Sequence, residues 1–146
     1  MAAYQTWQAG RILMGKLSHG ADLLEELTVV CNKEKIQSGW ITALGAVQNA
    51  RIAYYAQQKK EYCYRSINRR LEIINLSGNI SLKEQQSMVH VHLTLADARG
   101  RAYGGHLAPG TTVFACEFTI QEYTGLPFNR MHDAVTGLPL WHIPGT

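Results

Sequence analysis

Residues 87–107 read SMVHVHLTLADARGRAYGGHL, and this stretch decides both the fold and the candidate site. Its first part, residues 87–97, is rich in apolar and β-branched side chains, which favours a strand. Side chains alternate between the two faces of a strand, so His90 and His92 are expected on the same face. Residues 97–101, which follow this strand, are typical of a tight turn, and they predict that a second strand returns beside the first.

The residues DARGR form that turn, with Gly100 in the left-handed conformation that favours glycine. Pairing of Asp97 with Arg101 sets the register of the hairpin and brings His92 opposite His106. Opposed residues have Cβ atoms roughly 4.5–5.5 Å apart, and alternate residues on one strand are about 6.6 Å apart. Three imidazoles can therefore converge on one cation.

Three histidines, His90, His92 and His106, thus form a candidate metal site. Neutral imidazole is a ligand for several transition metals, and zinc accepts a tetrahedral set of three histidines with an open fourth position. Gly104 and Gly105 carry no side chain, so a ligand or another backbone can approach closely beside the third histidine. The alternative is that the histidines are polar residues on an exposed sheet face.

Length and composition predict one ordinary domain over residues 1–146. Hydrophobic residues make up 46% of the chain and charged residues 17%, and no apolar run is long enough to span a bilayer. With no signal-peptide pattern at the start, we expect a cytoplasmic protein without a membrane partner. The three cysteines are odd in number and widely spaced, which argues against a disulfide framework.

The order of elements indicates many strands and one main helix. Asp22 and Glu25 resemble a capping box, and apolar residues follow at helical spacing up to Cys31. Strands are predicted at residues 8–17, 39–47, 50–56, 62–69, 71–76 and 111–123, and an extended tail from about residue 124. His132 and His142 in that tail are excluded from the metal set.

The chain resembles the PPC domain, the plant and prokaryote conserved domain, also described as a PD1-like DNA-binding domain. The resemblance covers most of the chain and rests on short motifs in a fixed order. These are the helix followed by SGWI (residues 38–41), GAV (45–47), LSGNIS (76–81), HVH (90–92) and GGHL (104–107).

The resemblance implies an α/β (α+β) fold: a mostly antiparallel twisted sheet with one main helix packed on it. It also implies a homotrimer, and a zinc-like ion or another divalent metal on His90, His92 and His106. Plant relatives join the domain to a basic AT-hook arm that enters the minor groove of DNA, and this chain has no such arm.

A first hypothesis for function is a trimeric metal-binding protein with a DNA-binding or regulatory role, in which the metal is structural or receives a small anionic ligand. Lys59, Lys60, Arg69 and Arg70 are the candidate phosphate contacts, although short basic stretches are more often solvated surface. The net charge of +3 is only mildly basic and does not by itself establish DNA binding.

The alternative hypothesis is a zinc-dependent hydrolase or lyase that uses the three-histidine site. Such an enzyme needs a general base, for which Glu117 and Asp97 are the candidates, and neither lies in a recognisable catalytic pattern. Glu117 is also the candidate for a group that positions a ligand or a metal-bound histidine. A third hypothesis is a structural role in which trimer formation is the purpose and any metal is incidental.

Overall fold

The structure is a computed structural model that describes residues 2–143. It contains one helix and nine strands in that part of the chain. In chain order they are β1 (Gln8–Lys16), α1 (Leu23–Lys33), β2 (Gly39–Ala56), β3 (Glu61–Ile67), β4 (Leu71–Lys83), β5 (Gln86–Ala96), β6 (Ala102–Leu107), β7 (Thr112–Thr124), β8 (Asn129–His132) and β9 (Pro139–His142).

Helix α1 begins where the sequence predicts it. The carboxylate of Asp22 accepts hydrogen bonds from the backbone N–H groups of Leu24 and Glu25, both at 3.0 Å. It thereby pairs two N–H groups of the first turn that have no partner within the helix. Among the described residues, Glu25 does not make the return hydrogen bond of a capping box, and the carboxylate of Glu26 instead accepts from the backbone N–H and hydroxyl of Ser18. The apolar face of the helix is buried through Leu23, Leu27 and Cys31.

Strand β2 corrects the prediction of two separate strands at 39–47 and 50–56. The backbone runs on through Gln48 and Asn49 without a turn, because Asn49 pairs with Thr112 of β7. Gly45 (φ of 144°) sits at a bulge inside the strand. Strand β2 changes its partners along its length. Its first part pairs with β4 and β7, and its second part pairs with β3 and β6.

Strand β4 also extends further than the predicted 71–76, through SGNIS to Lys83. The glycine in this segment allows two backbones to approach rather than forming a turn. A Cβ atom on Gly78 would collide with the carbonyl oxygen of His90 and the Cα of Val91 on β5. Asn79 is consequently paired with His90 in the ladder between the two strands.

The hairpin between β5 and β6 has the predicted turn and register. Gly100 has a φ of 72°, its N–H donates to the carbonyl of Asp97 at 2.8 Å, and the Asp97 N–H donates to Arg101 at 3.1 Å. The Asp97 carboxylate also accepts from the backbone N–H groups of Arg99 and Arg101. His92 is paired with His106, as the sequence predicts.

One mostly antiparallel sheet results, in the order β1-β7-β2-β6-β5-β4-β8-β9, with β3 on β2. This agrees with an α+β fold in which the helix is a minor part. Buried aliphatic side chains of α1, β2, β4, β5 and β7 form the core, among them Leu27, Ile41, Leu76, Leu95 and Ile120. No helix within residues 2–143 is long and apolar enough to cross a membrane.

The segment after β7 adds two strands that the sequence analysis missed. Strands β8 and β9 pair as a short antiparallel hairpin, and β8 lies parallel to the end of β4. The N–H of Leu82 donates to the carbonyl of Phe128 at 2.9 Å, which fixes the hairpin beside β4. Residues 144–146 of the predicted tail lie outside the described residues.

The contact at Gly78 yields a test of the fold. Substitution Gly78→Ala should lower the free energy of unfolding by roughly 3 kcal/mol or more, because the methyl group would force β4 and β5 apart. Gly100→Ala is the control, since nothing lies within 4 Å of its Cβ position and only backbone strain of roughly 1–2 kcal/mol is expected. Urea unfolding of both variants checks the difference, and equal losses would contradict the close packing.

Candidate metal centre

The paired strands β5 and β6 bring His90, His92 and His106 together. Each ring offers one nitrogen, and these three nitrogens all lie within 4.8 Å of one another. The ring centroids are 5.0 to 5.4 Å apart. A tetrahedral zinc ion needs ligand nitrogens about 3.3 Å apart, which small side-chain rotations can supply.

Burial keeps the imidazoles of His90 and His106 in the form that binds metals. It is the main cause that lowers the pKa of His90 to about 4, with Arg130 and the other two histidines adding to the effect. Burial likewise lowers the pKa of His106 to about 4, followed by the charges of His92 and Arg130. Both rings are therefore neutral near pH 7, and a metal ion does not have to displace a proton from them.

The surroundings of His106 also fit a bound cation. Its Nδ1 is buried and has no hydrogen-bond partner among the described residues, which is unfavourable for a polar nitrogen. The ring of Tyr62 stacks on His106, with centroids 5.0 Å apart and planes inclined by 29°. A metal ion bonded to this Nδ1 would offset the cost of its burial.

A cavity of about 360 Å³ opens over the histidines. Its walls come from four separate parts of the chain: β2, β3, the β5–β6 hairpin and the loop before β9. The lining residues are Ala53, Tyr54, Tyr55, Tyr62, His90, His92, Gly105, His106 and Leu138. The imidazoles are therefore accessible to a small ligand and none of the lining residues is acidic.

Arg130 on β8 is the residue near the histidines that the sequence analysis missed. Its Nη2 lies 3.3 Å from Nδ1 of His90 and donates to Oδ1 of Asn79 at 2.8 Å. Its Nε donates to the hydroxyl of Ser81, and its Nη1 to the carbonyl of Pro139, both at 2.8 Å. No local sequence signal pointed to this residue, because its position depends on the pairing of β8 with β4.

The two predicted glycines have different neighbours. A Cβ on Gly105 would lie 2.8 Å from the carbonyl oxygen of Ala53, so this glycine lets β6 pack closely on β2. A Cβ on Gly104 would lie 3.0 Å from the carbonyl of Leu93. The sequence suggested that a ligand or another backbone approaches these glycines. In the structure another backbone approaches both of them, and Gly105 also lines the cavity.

Neither candidate general base lies in the histidine cavity. Glu117 lines a separate hollow on the sheet together with Met14, Leu44 and Ile74. Asp97 is at the hairpin turn, where its carboxylate accepts from the Arg101 guanidinium at 2.8 Å. That hydrogen bond is the main cause that lowers the pKa of Asp97 below its usual range.

The structure places the four basic candidates in two separate groups. Lys59 and Lys60 precede β3, where Lys60 donates to the carbonyl of Ala134 at 2.7 Å. Arg69 and Arg70 follow β3, where Arg69 lies 3.6 Å from the Asp97 carboxylate. A seven-residue strand separates the groups by roughly 23 Å, so one chain does not bring them into a single patch.

Solved structures are similar to this chain over most of its length, and two of them are described here. A metal-containing protein from Archaeoglobus fulgidus is 37% identical, with a TM-score of 0.91 and coverage of 97% of this chain and 99% of that one. A protein from Ralstonia eutropha JMP134, described as a candidate DNA-binding protein, is 26% identical, with a TM-score of 0.80 and coverage of 90% of each chain.

Curated relatives extend beyond the matched region. The bifunctional protein GlmU of Synechococcus sp. (strain JA-3-3Ab) is 33% identical over 135 residues, which are 91% of this chain. The matched region is only 20% of the length of that relative. The family model of the Plants and Prokaryotes Conserved (PCC) domain matches residues 4–124, and the chain therefore belongs to this family, which we call the PPC family.

Proposed function

We propose that this chain is a metal-binding PPC-domain protein whose three-histidine site holds a zinc ion, with an open position that faces the cavity. The observation that carries the proposal is the convergence of three ring nitrogens within 4.8 Å on two paired strands. The metal-containing relative from Archaeoglobus fulgidus, 37% identical, supports it. Zinc is the metal of choice because it accepts three imidazoles without requiring a carboxylate.

The metal-binding function is better supported than a hydrolase or a DNA-binding function. A metal hydrolase needs a base close to the metal, and Glu117 lines a different hollow from the histidines. A DNA-binding protein needs a continuous basic surface, and β3 separates the two basic groups. The description of the Ralstonia relative makes DNA binding the second candidate, which requires neighbouring chains to join the basic groups.

The first prediction for the site concerns metal content. His92→Ala should reduce bound zinc from about one ion per chain to a trace, because two imidazoles hold zinc far more weakly than three. His132→Ala, an exposed histidine on β8, should leave the zinc content unchanged. Elemental analysis of both proteins after zinc reconstitution and desalting checks this, and full zinc retention in the His92 variant would contradict the site.

The second prediction concerns pH. In the metal-free protein, His90 and His106 take up protons near pH 4 when folded and near their ordinary pKa of 6.5 when unfolded. Between these values the unfolded chain binds more protons, so stability is complete above about pH 6.5 and is lost as the pH falls toward about 4. Thermal unfolding measured across this pH range should show a midpoint temperature that decreases as the pH is lowered.

The matched variants for this titration are His90→Gln and His132→Gln. The decrease in midpoint temperature should be smaller in His90→Gln, because one depressed pKa is removed, and it should be unchanged in His132→Gln. A His90→Gln protein with the same pH dependence as the wild type would show that burial of this histidine does not cause the loss.

We also propose that the protein is a homotrimer. Large apolar side chains from different strands lie exposed around one hollow of the sheet, with exposed fractions of 80% for Met14, 59% for Leu44 and 60% for Ile74. Contiguous apolar surface of this kind is typical of subunit contacts. Sheets also leave unpaired edges that a neighbouring chain can cover.

Native mass spectrometry checks the trimer. The wild type should have a mass three times the 16.3 kDa of one chain, and Leu44→Glu should be monomeric because a buried carboxylate at the contact is costly. Val29→Glu is the control, since Val29 is an equally exposed aliphatic residue on α1, with an exposed fraction of 61%. A monomeric wild type, or a trimeric Leu44 variant, would contradict the proposal.

A further inference from the structure

A second cavity is lined by the segment before β1, by the start of β2, by β4 and β7, and by the β8–β9 hairpin with its flanks. All three tryptophans of the chain line it, although they are far apart in sequence. The aromatic lining residues are Tyr4, Trp7, Trp40, Tyr123, Phe128 and Trp141. This aromatic cavity shares no lining residue with the histidine cavity, so the two are separate sites.

The aromatic side chains leave one indole ring without a ring partner. Trp7 and Phe128 meet edge to face, with centroids 5.2 Å apart, and Phe128 lies 5.0 Å from Trp141. Among residues 2–143 Trp40 contacts no other aromatic ring, and 42% of it is exposed. Aromatic rings prefer to pack against other rings in offset-stacked or edge-to-face geometry. The indole of Trp40 is therefore available to stack on a planar ligand.

The size and charge of the aromatic cavity restrict the ligand. Its volume of about 240 Å³ lies below the roughly 300–1,000 Å³ of sites for drug-sized molecules, so it suits one or two fused rings. None of the thirteen lining residues is charged. A positive charge already lies against the wall, because the guanidinium carbon of Arg130 is 5.7 Å from the centroid of the Trp141 ring. A second cation is therefore disfavoured, and an uncharged ligand is favoured.

Two polar side chains of the wall have hydrogen-bonding groups that the protein does not use. Oδ1 of Asn79 accepts from Arg130 at 2.8 Å, but its Nδ2 has no acceptor among residues 2–143. Ser38 is only 6% exposed, and its hydroxyl has no hydrogen-bond partner in the described part of the chain. Both groups can donate, and a purely apolar ligand would leave them unpaired, which is unfavourable. A ligand with an acceptor atom in its ring system is favoured.

We infer that the aromatic cavity binds an uncharged, planar heteroaromatic molecule of one or two rings. Trp40 stacks on the ring system, and a ring nitrogen or carbonyl oxygen accepts a hydrogen bond from Asn79 or Ser38. This binding function is additional to metal binding and does not depend on it, because the two cavities have separate walls.

Ligand-observed NMR with the full chain tests this inference, with quinoxaline, adenine and uracil as three uncharged heteroaromatic probes. At least one probe should bind to the wild type in a saturable way and alter its tryptophan fluorescence, because all three tryptophans line the cavity. Two comparison compounds should bind at least about tenfold more weakly than that probe, because they cannot stack. These are cyclohexanol, which has an acceptor but no aromatic ring, and tetramethylammonium, a cation that aromatic cages also bind.

The variant Trp40→Ala tests the stacking contact. It should weaken the binding of the probe by about tenfold or more, because stacking on an aromatic side chain is lost. Phe114→Ala is the control, since it removes an aromatic ring that is 57% exposed on β7 and lies outside the cavity. It should leave the affinity unchanged. Circular dichroism checks that both variants are folded.

A measurement on the wild type covers the case in which the Trp40 variant does not fold. Nuclear Overhauser effects should connect protons of the bound probe to indole protons of Trp40, and none should connect the probe to Phe114. A bound probe without contacts to Trp40 would overturn the inference.

The remaining outcomes also decide the inference. Absence of binding by all three probes, equal affinities in the Trp40 and Phe114 variants, or tightest binding by tetramethylammonium or cyclohexanol would overturn it. The titration of the wild type is repeated after a chelator has removed zinc, and the affinity for the probe should be unchanged. Probe binding that requires zinc would overturn the separation of the two sites, whereas a protein that holds no zinc but binds the probe would overturn only the metal function.

Discussion

The pairing of β4, β5 and β6 is the constraint on which the site depends. The carboxylate of Asp97 and the left-handed Gly100 fix the turn, and the turn places His106 opposite His92. On the other side, Gly78 lets β4 approach β5 and aligns Asn79 with His90. A shift by one residue in either pairing would move a histidine or its partner to the opposite face, so the site exists only in this register.

This constraint explains which parts of the fold could be predicted from sequence. The β5–β6 hairpin and the cap of α1 depend on residues close in the chain, and both were predicted correctly. The joining of two predicted strands into β2 was missed, because the polar pair Gln48 and Asn49 interrupts the apolar pattern locally, whereas pairing with β7 carries the strand through Asn49. Tertiary pairing overrides a local polar signal in such cases.

Arg130 illustrates the same limit at the site itself. The three histidines follow from period-two alternation and one turn, but Arg130 reaches Asn79 across 51 residues of sequence. That contact depends on the parallel pairing of β8 with β4, which no periodic pattern in residues 129–132 indicates. A polar residue that reaches a site from a distant segment of the chain, as Arg130 does, is therefore harder to predict than ligands that lie close together in sequence. This holds even where the distant residue carries the charge.

The long strand β2 relates the two proposed surfaces to each other. Leu44 lines the apolar hollow and Ala53 lines the histidine cavity, so both surfaces include the same strand. Nine residues of extended chain separate these positions by roughly 30 Å. A neighbouring chain seated on the hollow would therefore contact a different part of β2 from the part that lines the cavity. Metal loading and assembly can then be tested independently, because a charge introduced at Leu44 lies too far from the histidines to alter their ligation directly.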